Sequence, residues 1–260
     1  MQTKQLLVII GIALAVGLGL AFYTLRPSTT QASLNKDSSA LITEDVIYGK
    51  PLEEWAQGYW NWSIGVPTVD QMDTDPKTGM TQCYVGSDSD GRMAYLFDPY
   101  DAKYETTCEI SSTTAILVPL LISECDALPE NTISPEKLED SWACAQEYNE
   151  VFSSWDVMLD GKTIFRKVGN EEVNSHLADE ILVRNSSKFT WNIPENNRFD
   201  FEPGTTEAVV DGYYMIFKPL TPGDHLLKYK ITHEQRSPGA DLSYVYGDVT
   251  YHLKVIEVKS

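Results

Sequence analysis

The sequence predicts a mainly β protein: an antiparallel β-sandwich of the jelly-roll or immunoglobulin-like kind with about two helices, preceded by an N-terminal transmembrane helix. Three observations lead to this fold class. Several short strand-like runs are separated by turns that contain Gly or Pro. Two segments begin with residues that favour helix starts. A long apolar run near the N-terminus indicates a membrane helix.

The apolar run covers residues 6–25, LLVIIGIALAVGLGLAFYTL, which contain no charge and are flanked by Lys4 and Arg26. A helix of about 20 residues spans the roughly 30 Å of a bilayer core. A signal peptide usually has a shorter apolar stretch that a small-residue cleavage site follows at once, whereas the nearest such site here is around Ala32. The run therefore favours an uncleaved anchor, with a cleaved signal and a secreted product as the alternative.

The domain organisation follows from this anchor. We expect a membrane anchor or signal over residues 1–26, a flexible linker rich in Ser and Thr over 27–43, and an extracytoplasmic β-sandwich domain over 44–260. The protein is thus expected in the cell membrane, with a single span and most of the chain outside the cytoplasm. Its net charge of −18 disfavours nucleic acid and anionic lipid headgroups as partners, because both would be repelled.

The first predicted helix carries the stretch EEWAQGYWNW. Pro51, which two acids follow closely, is typical of a helix start. Trp55, Tyr59 and Trp62 lie at positions i, i+4 and i+7, which share one helical face. We expect these three rings to cover a sheet, and Trp60, on a neighbouring flank, to remain as a ring for a ligand. An exposed aromatic platform is the alternative.

The turn-rich residues 66–91 contain two pairs of acids, Asp73 with Asp75 and Asp88 with Asp90. Closely spaced carboxylates provide the oxygen ligands that calcium prefers, so calcium is a candidate cofactor. Neither pair fits the EF-hand pattern, which also needs a later Glu. Solvated loop acids are the alternative interpretation.

The chain has four cysteines, and an even number in an exported protein predicts two disulfides: Cys83, Cys108, Cys125 and Cys144. Of the three possible pairings, the most local joins Cys83 to Cys108 and Cys125 to Cys144. Each bond would stabilise the fold by roughly 3 kcal/mol because it restricts the unfolded chain. A zinc site is the alternative, although the spacing lacks the usual C-x-x-C pairs.

The middle of the chain contains strand and helix signals in turn. Residues 92–97 are strand-like, and residues 115–122, AILVPLLI, form a continuous apolar run typical of a buried strand. A Ser-Pro-Glu sequence predicts a second helix from Ser134 to about Phe152. Residues 155–165 then read as a hairpin with Asp-Gly at its turn.

Four more strands are predicted in the C-terminal third, over residues 188–191, 211–217, 225–232 and 249–258. The closing strand alternates cleanly between apolar and polar residues, which is typical of a strand with one solvated face. Together with the earlier runs, these strands complete the predicted sandwich.

Two histidines form a candidate site for a transition metal. His225 follows the turn PLTPGD and His252 lies in the last strand, so the imidazoles could approach each other if the two strands pair. Asp224 and His233 lie nearby in sequence, and imidazole with carboxylate ligands would suit zinc or copper. Histidines that are bonded to the backbone are the alternative.

Catalytic motifs are scarce in this sequence. It has no G-x-S-x-G element and no phosphate-binding glycine loop. With 38 acidic residues, it does not identify the carboxylate pair that a glycosidase needs. Glu124, beside Cys125 at the end of a buried strand, is the first carboxylate to consider for ligand binding.

Several motifs resemble an uncharacterised family of exported proteins. The run DGYYMIFKPLTPGDHLLKYKITH and the closing VTYHLKV are similar to that family's "DGYW…L.PL.PG.H" and "VTYHL.V" elements. The Trp-rich helix and the segments TQCYVGSDSDGRMAYLF and TCEISSTTAILVPLLISEC extend the resemblance over about residues 50–256. The chain departs from the pattern at Tyr95, where the family has an aromatic-rich "VWFL". The resemblance implies export and no particular activity.

These observations favour a membrane-anchored, extracytoplasmic binding or structural module of the cell surface over an enzyme. Its partner would be a surface polymer or a protein. The first alternative is an extracellular hydrolase that acts on carbohydrate or peptide. The second is a surface protein that binds calcium or a transition metal.

Overall fold

The strand-like segments assemble into two six-stranded sheets. A computed structural model describes residues 40–99, 102–127, 138–147, 152–168, 170–237 and 240–258. With two helices in this part of the chain, the protein is mainly β, consistent with a β-sandwich. The predicted anchor lies outside the described residues.

Sheet 1 has the strand order β1-β2-β4-β10-β8, and β9 also pairs with β10. Its long central strands come from the segments that the sequence marks as continuously apolar. The strands are β1 (Val85–Ser87), β2 (Met93–Leu96), β4 (Ala115–Asp126), β8 (Leu182–Val183), β9 (Phe189–Ile193) and β10 (Gly204–Phe217).

Sheet 2 has the strand order β3-β12-β11-β5-β6-β7. The two longest strands, β11 and β12, form its centre. The strands are β3 (Ala102–Ser111), β5 (Phe152–Leu159), β6 (Lys162–Val168), β7 (Glu171–Val173), β11 (Gly223–Ser237) and β12 (Ala240–Ile256).

Both sheets are mixed, so the prediction of a purely antiparallel sandwich is wrong. β2 pairs with β4 in parallel, and β3 pairs with β12 in parallel. A parallel pair needs a crossover connection, and the chain provides one because β3, between β2 and β4 in sequence, belongs to the other sheet. Periodicity along one strand does not report which distant strand lies beside it.

The two helices are α1 (Leu52–Ser63) and α2 (Leu138–Glu147). α1 begins after Pro51, as predicted, with two acids in its first turn. The structure describes α2 as far as Glu147, and Phe152, the predicted helix end, belongs to β5. Its predicted start at Ser134 lies outside the described residues. Two short 3-10 helices cover Val69–Gln71 and Ser175–Ala178.

The core has two apolar layers. One lies between the sheets and contains inward residues of β4, β10, β11 and β12, such as Val118, Phe217, Leu227 and Tyr251. The other lies between sheet 1 and α1 and contains the aromatic residues of the helix. Sheet 1 is therefore covered on both faces, which explains its continuous apolar runs.

The predicted hairpin is confirmed in β5 and β6, which pair antiparallel. Asp160 and Gly161 have φ values of 51° and 75° at the turn. These left-handed conformations are those of the type I′ turn that Asp-Gly favours, because its twist matches that of the strands.

Both disulfides have the local pairing. Cys83 bonds to Cys108 and Cys125 bonds to Cys144, so none of the four thiols is left for a zinc site. The first bond holds a loop segment against β3, and the second joins β4 to α2. Two disulfides fit an extracellular or otherwise oxidising compartment.

The last residues of the predicted linker 27–43, which the structure describes from residue 40, pack on sheet 1. Leu41 is buried and forms a bridge to Phe217, and the Ile42 N–H donates to the Ile216 carbonyl at 2.8 Å. Among the described residues, no helix is long and apolar enough to cross a bilayer. The span over residues 6–25 stays a prediction.

Candidate functional site

The Trp-rich helix α1 packs its aromatic rings against sheet 1, but the rings that are buried are not all the ones that the sequence predicted. Trp55 and Tyr59 are fully buried, as predicted. Trp60 is only 8% exposed, and its Nε1 donates to the Tyr214 hydroxyl at 2.9 Å. Trp62, expected to be covered, is half-buried. A ligand could not stack on Trp60 without displacing α1 from sheet 1, because that ring lies in the layer between them.

The acids of the loop 66–91 organise turns. Asp88 is buried, and its Oδ1 accepts the N–H groups of Arg92 at 2.7 Å and Met93 at 2.8 Å. Asp90 pairs with the Arg92 guanidinium at 2.7 Å. These contacts fix the turn between β1 and β2, so the Asp88 carboxylate is already engaged with its own hairpin.

The other acidic pair is solvated. Asp73 and Asp75 are exposed, and Asp75 Oδ1 accepts the Lys77 N–H at 2.8 Å. Within the described ranges, no group of three or more His, Cys, Asp or Glu side chains is placed to hold a metal ion. Calcium binding by Asp73, Asp75, Asp88 and Asp90 stays a prediction.

The two candidate histidines lie on paired strands but on opposite faces of sheet 2. His225 stands opposite Leu253, and His252 stands opposite Leu226. Directly opposed residues share a face, and neighbouring residues along a strand do not. His225 therefore belongs to the inner face with the buried Leu253, and His252 to the solvated outer face. Both histidines line one depression, described below, and a metal ion held between them stays a prediction.

His225 is held by acceptors on both ring nitrogens. Nδ1 lies 2.7 Å from Asp160 Oδ2, and Nε2 lies 2.8 Å from the Thr221 carbonyl oxygen. Burial lowers the pKa of the ring, but the hydrogen bonds to Asp160 and Thr221 outweigh it and raise the pKa above its ordinary value. A protonated ring donates both hydrogen bonds, so this histidine locks the β5–β6 turn to β11.

The outer face of sheet 2 carries a depression with a volume of about 370 Å³. Leu226 and His252 are opposed on its central strands, and Thr107 stands opposite His252 on β3. Asp224 and Lys254 form the next row. The lining residues are Thr107, Asp160, Asp224, His225, Leu226, His252, Leu253 and Lys254.

A histidine–glutamate contact and a lysine–glutamate ion pair support the side of the depression that lies along β3. His252 Nε2 lies 3.0 Å from Glu105 Oε1, and Lys254 Nζ donates to Glu109 Oε1 at 2.8 Å. Both pairs connect β12 to β3 across the parallel register. Because the pairs are solvated, they stabilise the fold little, but they orient the side chains that face the depression.

A row of alternating charges crosses the same outer face. Arg166, Asp156, Lys230, Asp248 and Lys103 stand opposite one another in that order on β6, β5, β11, β12 and β3. Arg166 holds Asp156 through two hydrogen bonds, of 2.6 and 3.1 Å. The outer face of sheet 2 is therefore a polar surface with fixed, complementary charges.

Glu124 lies two residues from Asp126 on β4, so both carboxyl groups point to the same face of sheet 1. Asp126 is fully buried, and Glu124 Oε2 is buried with no hydrogen-bond partner in the described part of the chain. Burial raises the pKa of Glu124 well above its ordinary value, and the charge of Asp126 and a hydrogen bond to it raise it further. Glu124 therefore holds its proton to a higher pH than an exposed glutamate does.

Sequence reasoning did not identify most of the residues that line the depression. Thr107, Leu226 and Lys254 come from three strands whose pairing is not visible along the chain. The signal that could have indicated them is the alternation of β12, which places His252 and Lys254 on one solvated face.

The chain matches no protein-family model, and no curated protein or solved structure is significantly similar to it. The resemblance of its motifs to exported proteins remains an interpretation of the sequence.

Proposed function

We propose that this protein is a membrane-anchored, extracytoplasmic and non-catalytic binding module of the cell surface, and that it binds its ligand on the outer face of sheet 2. One observation carries the proposal: the depression around Leu226 lies on the sheet face that is solvated and polar. Side chains on paired strands have fixed spacing, so such a face recognises a ligand with little ordering cost.

The chemistry of the depression suits a polar segment of a polymer or protein. Lys254 and His252 supply donors, and Asp224 supplies an acceptor. The Thr107 hydroxyl can both donate and accept a hydrogen bond, and Leu226 adds an apolar contact surface. A ligand with hydroxyl groups or with charges of both signs would match this set.

The proposed extracytoplasmic location is supported by features other than the depression. The two disulfides favour an oxidising compartment, and the apolar residues 6–25 favour an anchor. A sandwich architecture is shared with jelly-roll and immunoglobulin-like binding domains. That last argument is an analogy of fold and does not identify a ligand.

The test is a binding screen of the full chain against surface polysaccharides and peptides by isothermal titration calorimetry. We expect saturable binding, with the ligand recovered intact. Leu226→Trp fills the depression and should weaken binding by about tenfold or more, which is about 1.4 kcal/mol. Lys230→Trp is the matched control, because it places the same ring on the same face of the same strand and should leave binding unchanged. Equal affinity of both variants would exclude the depression as the site.

A second candidate function is hydrolysis by the Glu124–Asp126 pair. A glycosidase keeps its two carboxyl groups about 5 to 9.5 Å apart, whereas carboxyl groups joined by a hydrogen bond are closer. Two carboxyl groups that are joined by a hydrogen bond resemble the shared-proton pair of aspartic proteases. The observation therefore favours peptide over carbohydrate as the substrate of such an enzyme.

This alternative is tested by incubating the chain with a peptide library and analysing the products by mass spectrometry. Cleavage that Glu124→Gln abolishes and Glu109→Gln preserves would establish the hydrolase and replace the binding proposal. Intact peptides over a range of pH would remove it.

A further inference from the structure

Two segments of the chain match the acceptor sequence for N-linked glycosylation, which is Asn, then any residue except Pro, then Ser or Thr. These sequons are NWS at residues 61–63 and NSS at residues 185–187. The motif is short and occurs often by chance, so the sequence does not distinguish one from the other. The fold does, because the two asparagines differ in their exposure and in what their side chains contact.

Asn61 belongs to the packing between α1 and β9. Its Nδ2 donates to the Thr190 carbonyl at 3.2 Å and to the Gln57 carbonyl at 3.3 Å. Its Oδ1 accepts the backbone N–H of Asn192 at 2.9 Å and an N–H of the Asn192 side chain at 3.1 Å. Ser63, the hydroxyl residue of this sequon, is buried. A sugar on Asn61 Nδ2 would separate the helix from the strand, so a chain modified there could not reach this fold.

Asn185 lies on the surface, in the loop between β8 and β9. Its φ is 51°, a left-handed conformation that Asn adopts more readily than most residues. Its Oδ1 accepts an N–H of Gln146 in α2 at 2.9 Å, which leaves Nδ2 directed to solvent within the described part of the chain. A glycan replaces one hydrogen of Nδ2 and keeps Oδ1, so it is compatible with the contact to α2.

The other residues of this second sequon are engaged in the fold. Ser186 is fully buried, and its Oγ accepts the Val210 N–H at 2.8 Å. The Ser187 N–H donates to the Glu53 carboxylate at 2.7 Å. A transferase that recognises both the Asn and the hydroxyl residue needs this segment unpacked. The sugar chain is therefore added before the segment packs, and the fold determines which modified asparagine it can accommodate.

We propose that Asn185 carries an N-linked glycan and that Asn61 does not. The inference rests on the extracytoplasmic location in the proposed function, because the transfer takes place outside the cytoplasm. The co-reactant is a sugar chain joined through phosphate to a lipid carrier. Asn185 Nδ2 forms a bond to the first sugar carbon and releases a proton. The bond between that carbon and the phosphate oxygen breaks, and the lipid phosphate leaves with the electron pair.

A glycan at this position is compatible with the proposed binding surface. Asn185 follows β8 of sheet 1, whereas the depression lies on the face of sheet 2 that points away from sheet 1. The glycan would cover the loop between β8 and β9 and leave the outer face of sheet 2 open to a ligand.

Glycopeptide mass spectrometry of the full chain, isolated from the membranes of the cells that produce it, tests the proposal. Cleavage after acidic residues places the two sequons on separate peptides. We expect the peptide with Asn185 to carry the mass of a sugar chain, which collision releases as sugar fragments, and the peptide with Asn61 to be unmodified. An unmodified Asn185, or a glycan on Asn61, would overturn the proposal.

Three variants of the full chain assign the modification to this sequon. Asn185→Asp removes the acceptor nitrogen with a residue that also tolerates the left-handed conformation, and Ser187→Ala removes the required hydroxyl group. Both should lose the entire mass of the sugar chain. Ser187→Thr is the matched control, because it keeps a sequon and should keep the glycan. A glycan that persists in Asn185→Asp would contradict the assignment.

Labelling of intact cells with a membrane-impermeant amine reagent separates failure of this proposal from failure of the proposed location. A chain that is labelled from outside but has an unmodified Asn185 overturns the glycan and leaves the location standing. A chain that is neither labelled nor modified overturns both.

Discussion

Sheet 1 and sheet 2 belong to one protein but use their faces differently. In sheet 1, β4 and β10 are buried on both faces, because sheet 2 covers one and α1 covers the other. In sheet 2, β11 and β12 bury one face, and the other carries the charged row and the depression. The comparison shows that the hydrophobic pattern of a strand indicates how many of its faces are covered. A strand with a continuous apolar run is covered on both faces, and a strand that alternates between apolar and polar residues is covered on one.

The difference also separates stability from function. Substitutions in the centre of sheet 1 should act mainly on folding, since most side chains of β4 and β10 are buried. Substitutions on the outer face of sheet 2 should act mainly on binding, since those side chains contact solvent. Free energies of unfolding, measured for substitutions in each sheet, test this division.

The largest effect is expected at Gly212 in β10. Its φ is +133°, and a Cβ there would lie 2.3 Å from the Leu121 carbonyl oxygen and 2.7 Å from the Ile122 Cα. Both atoms are backbone of β4 and cannot move aside. Gly212→Ala should therefore destabilise the fold by about 4 kcal/mol or more, or prevent folding.

Gly223 in sheet 2 is the matched control for this prediction. Its φ is +135°, nearly the same, but a Cβ there meets no atom within 4 Å. Gly223→Ala should show only the backbone strain, about 1–3 kcal/mol. Urea denaturation of both variants measures the difference, and equal losses would mean that the close approach of β4 and β10 contributes nothing.

Glu124 in sheet 1 should give a smaller effect of opposite sign. Its pKa is raised above the ordinary 4.5 by burial and by Asp126, so the folded state binds its proton more tightly than the unfolded state. This contribution to stability is present below pH 4.5 and is lost as pH rises through the folded pKa. Glutamine cannot ionise, so Glu124→Gln avoids the cost of burying this carboxyl group above pH 4.5 and should stabilise the protein at pH 7 by roughly 1 kcal/mol or more.

The check for Glu124→Gln is a series of thermal melts from pH 4 to pH 8. The variant should gain on the wild type as the pH rises. Glu109→Gln, at an exposed carboxylate on the outer face of sheet 2, is the surface variant measured in the same series. A constant gap between wild type and Glu124→Gln across the series would contradict a raised pKa.

His225 in sheet 2 should produce a weaker pH dependence in the same direction. Its pKa is raised above 6.5, so the bonds to Asp160 and Thr221 stabilise the fold fully below pH 6.5 and less as the pH rises through the folded pKa. Asp160 is substantially exposed, so we expect less than about 1 kcal/mol. Histidine NMR titration of the wild type measures the pKa directly, and a value at or below 6.5 would refute the prediction.

The parts of the fold that follow from local sequence were predictable, and those that depend on distant pairing were not. The Asp160-Gly161 hairpin joins strands that are neighbours in sequence, so its turn residues predict it. The disulfide pairing was one of three possibilities, and the most local of them is the one formed. The parallel contact of β3 with β12 joins segments far apart, and no periodicity encodes this pair or the pair of β2 with β4. Trp60 was misplaced for a related reason: a helical face predicts contact with one sheet, but Trp191 of β9 packs against its flank, with ring centroids 6.1 Å apart.

The candidate site was also predictable only where it depends on residues that are close in sequence. His225 and His252 were correctly placed on strands, but the register that puts them on opposite faces of sheet 2 depends on the length of the intervening chain. Glu124 was singled out by its position after a buried run, and its neighbour Asp126 follows from the period of two.

The smallest effect is expected in the charged row of sheet 2. Asp248 lies between Lys230 and Lys103 on neighbouring strands. Asp248→Asn removes the central charge but keeps the shape, and cross-strand ion pairs in solvent contribute little, so the loss should be below about 0.5 kcal/mol. Asp248→Lys places three like charges in a row and should cost up to about 1 kcal/mol, less at high salt because ions screen the repulsion. Urea denaturation in low and in high salt measures both. A loss from Asp248→Asn as large as that from Gly212→Ala would show that the outer face of sheet 2 stabilises the fold as much as the doubly covered sheet 1, and the division between the two sheets would fail.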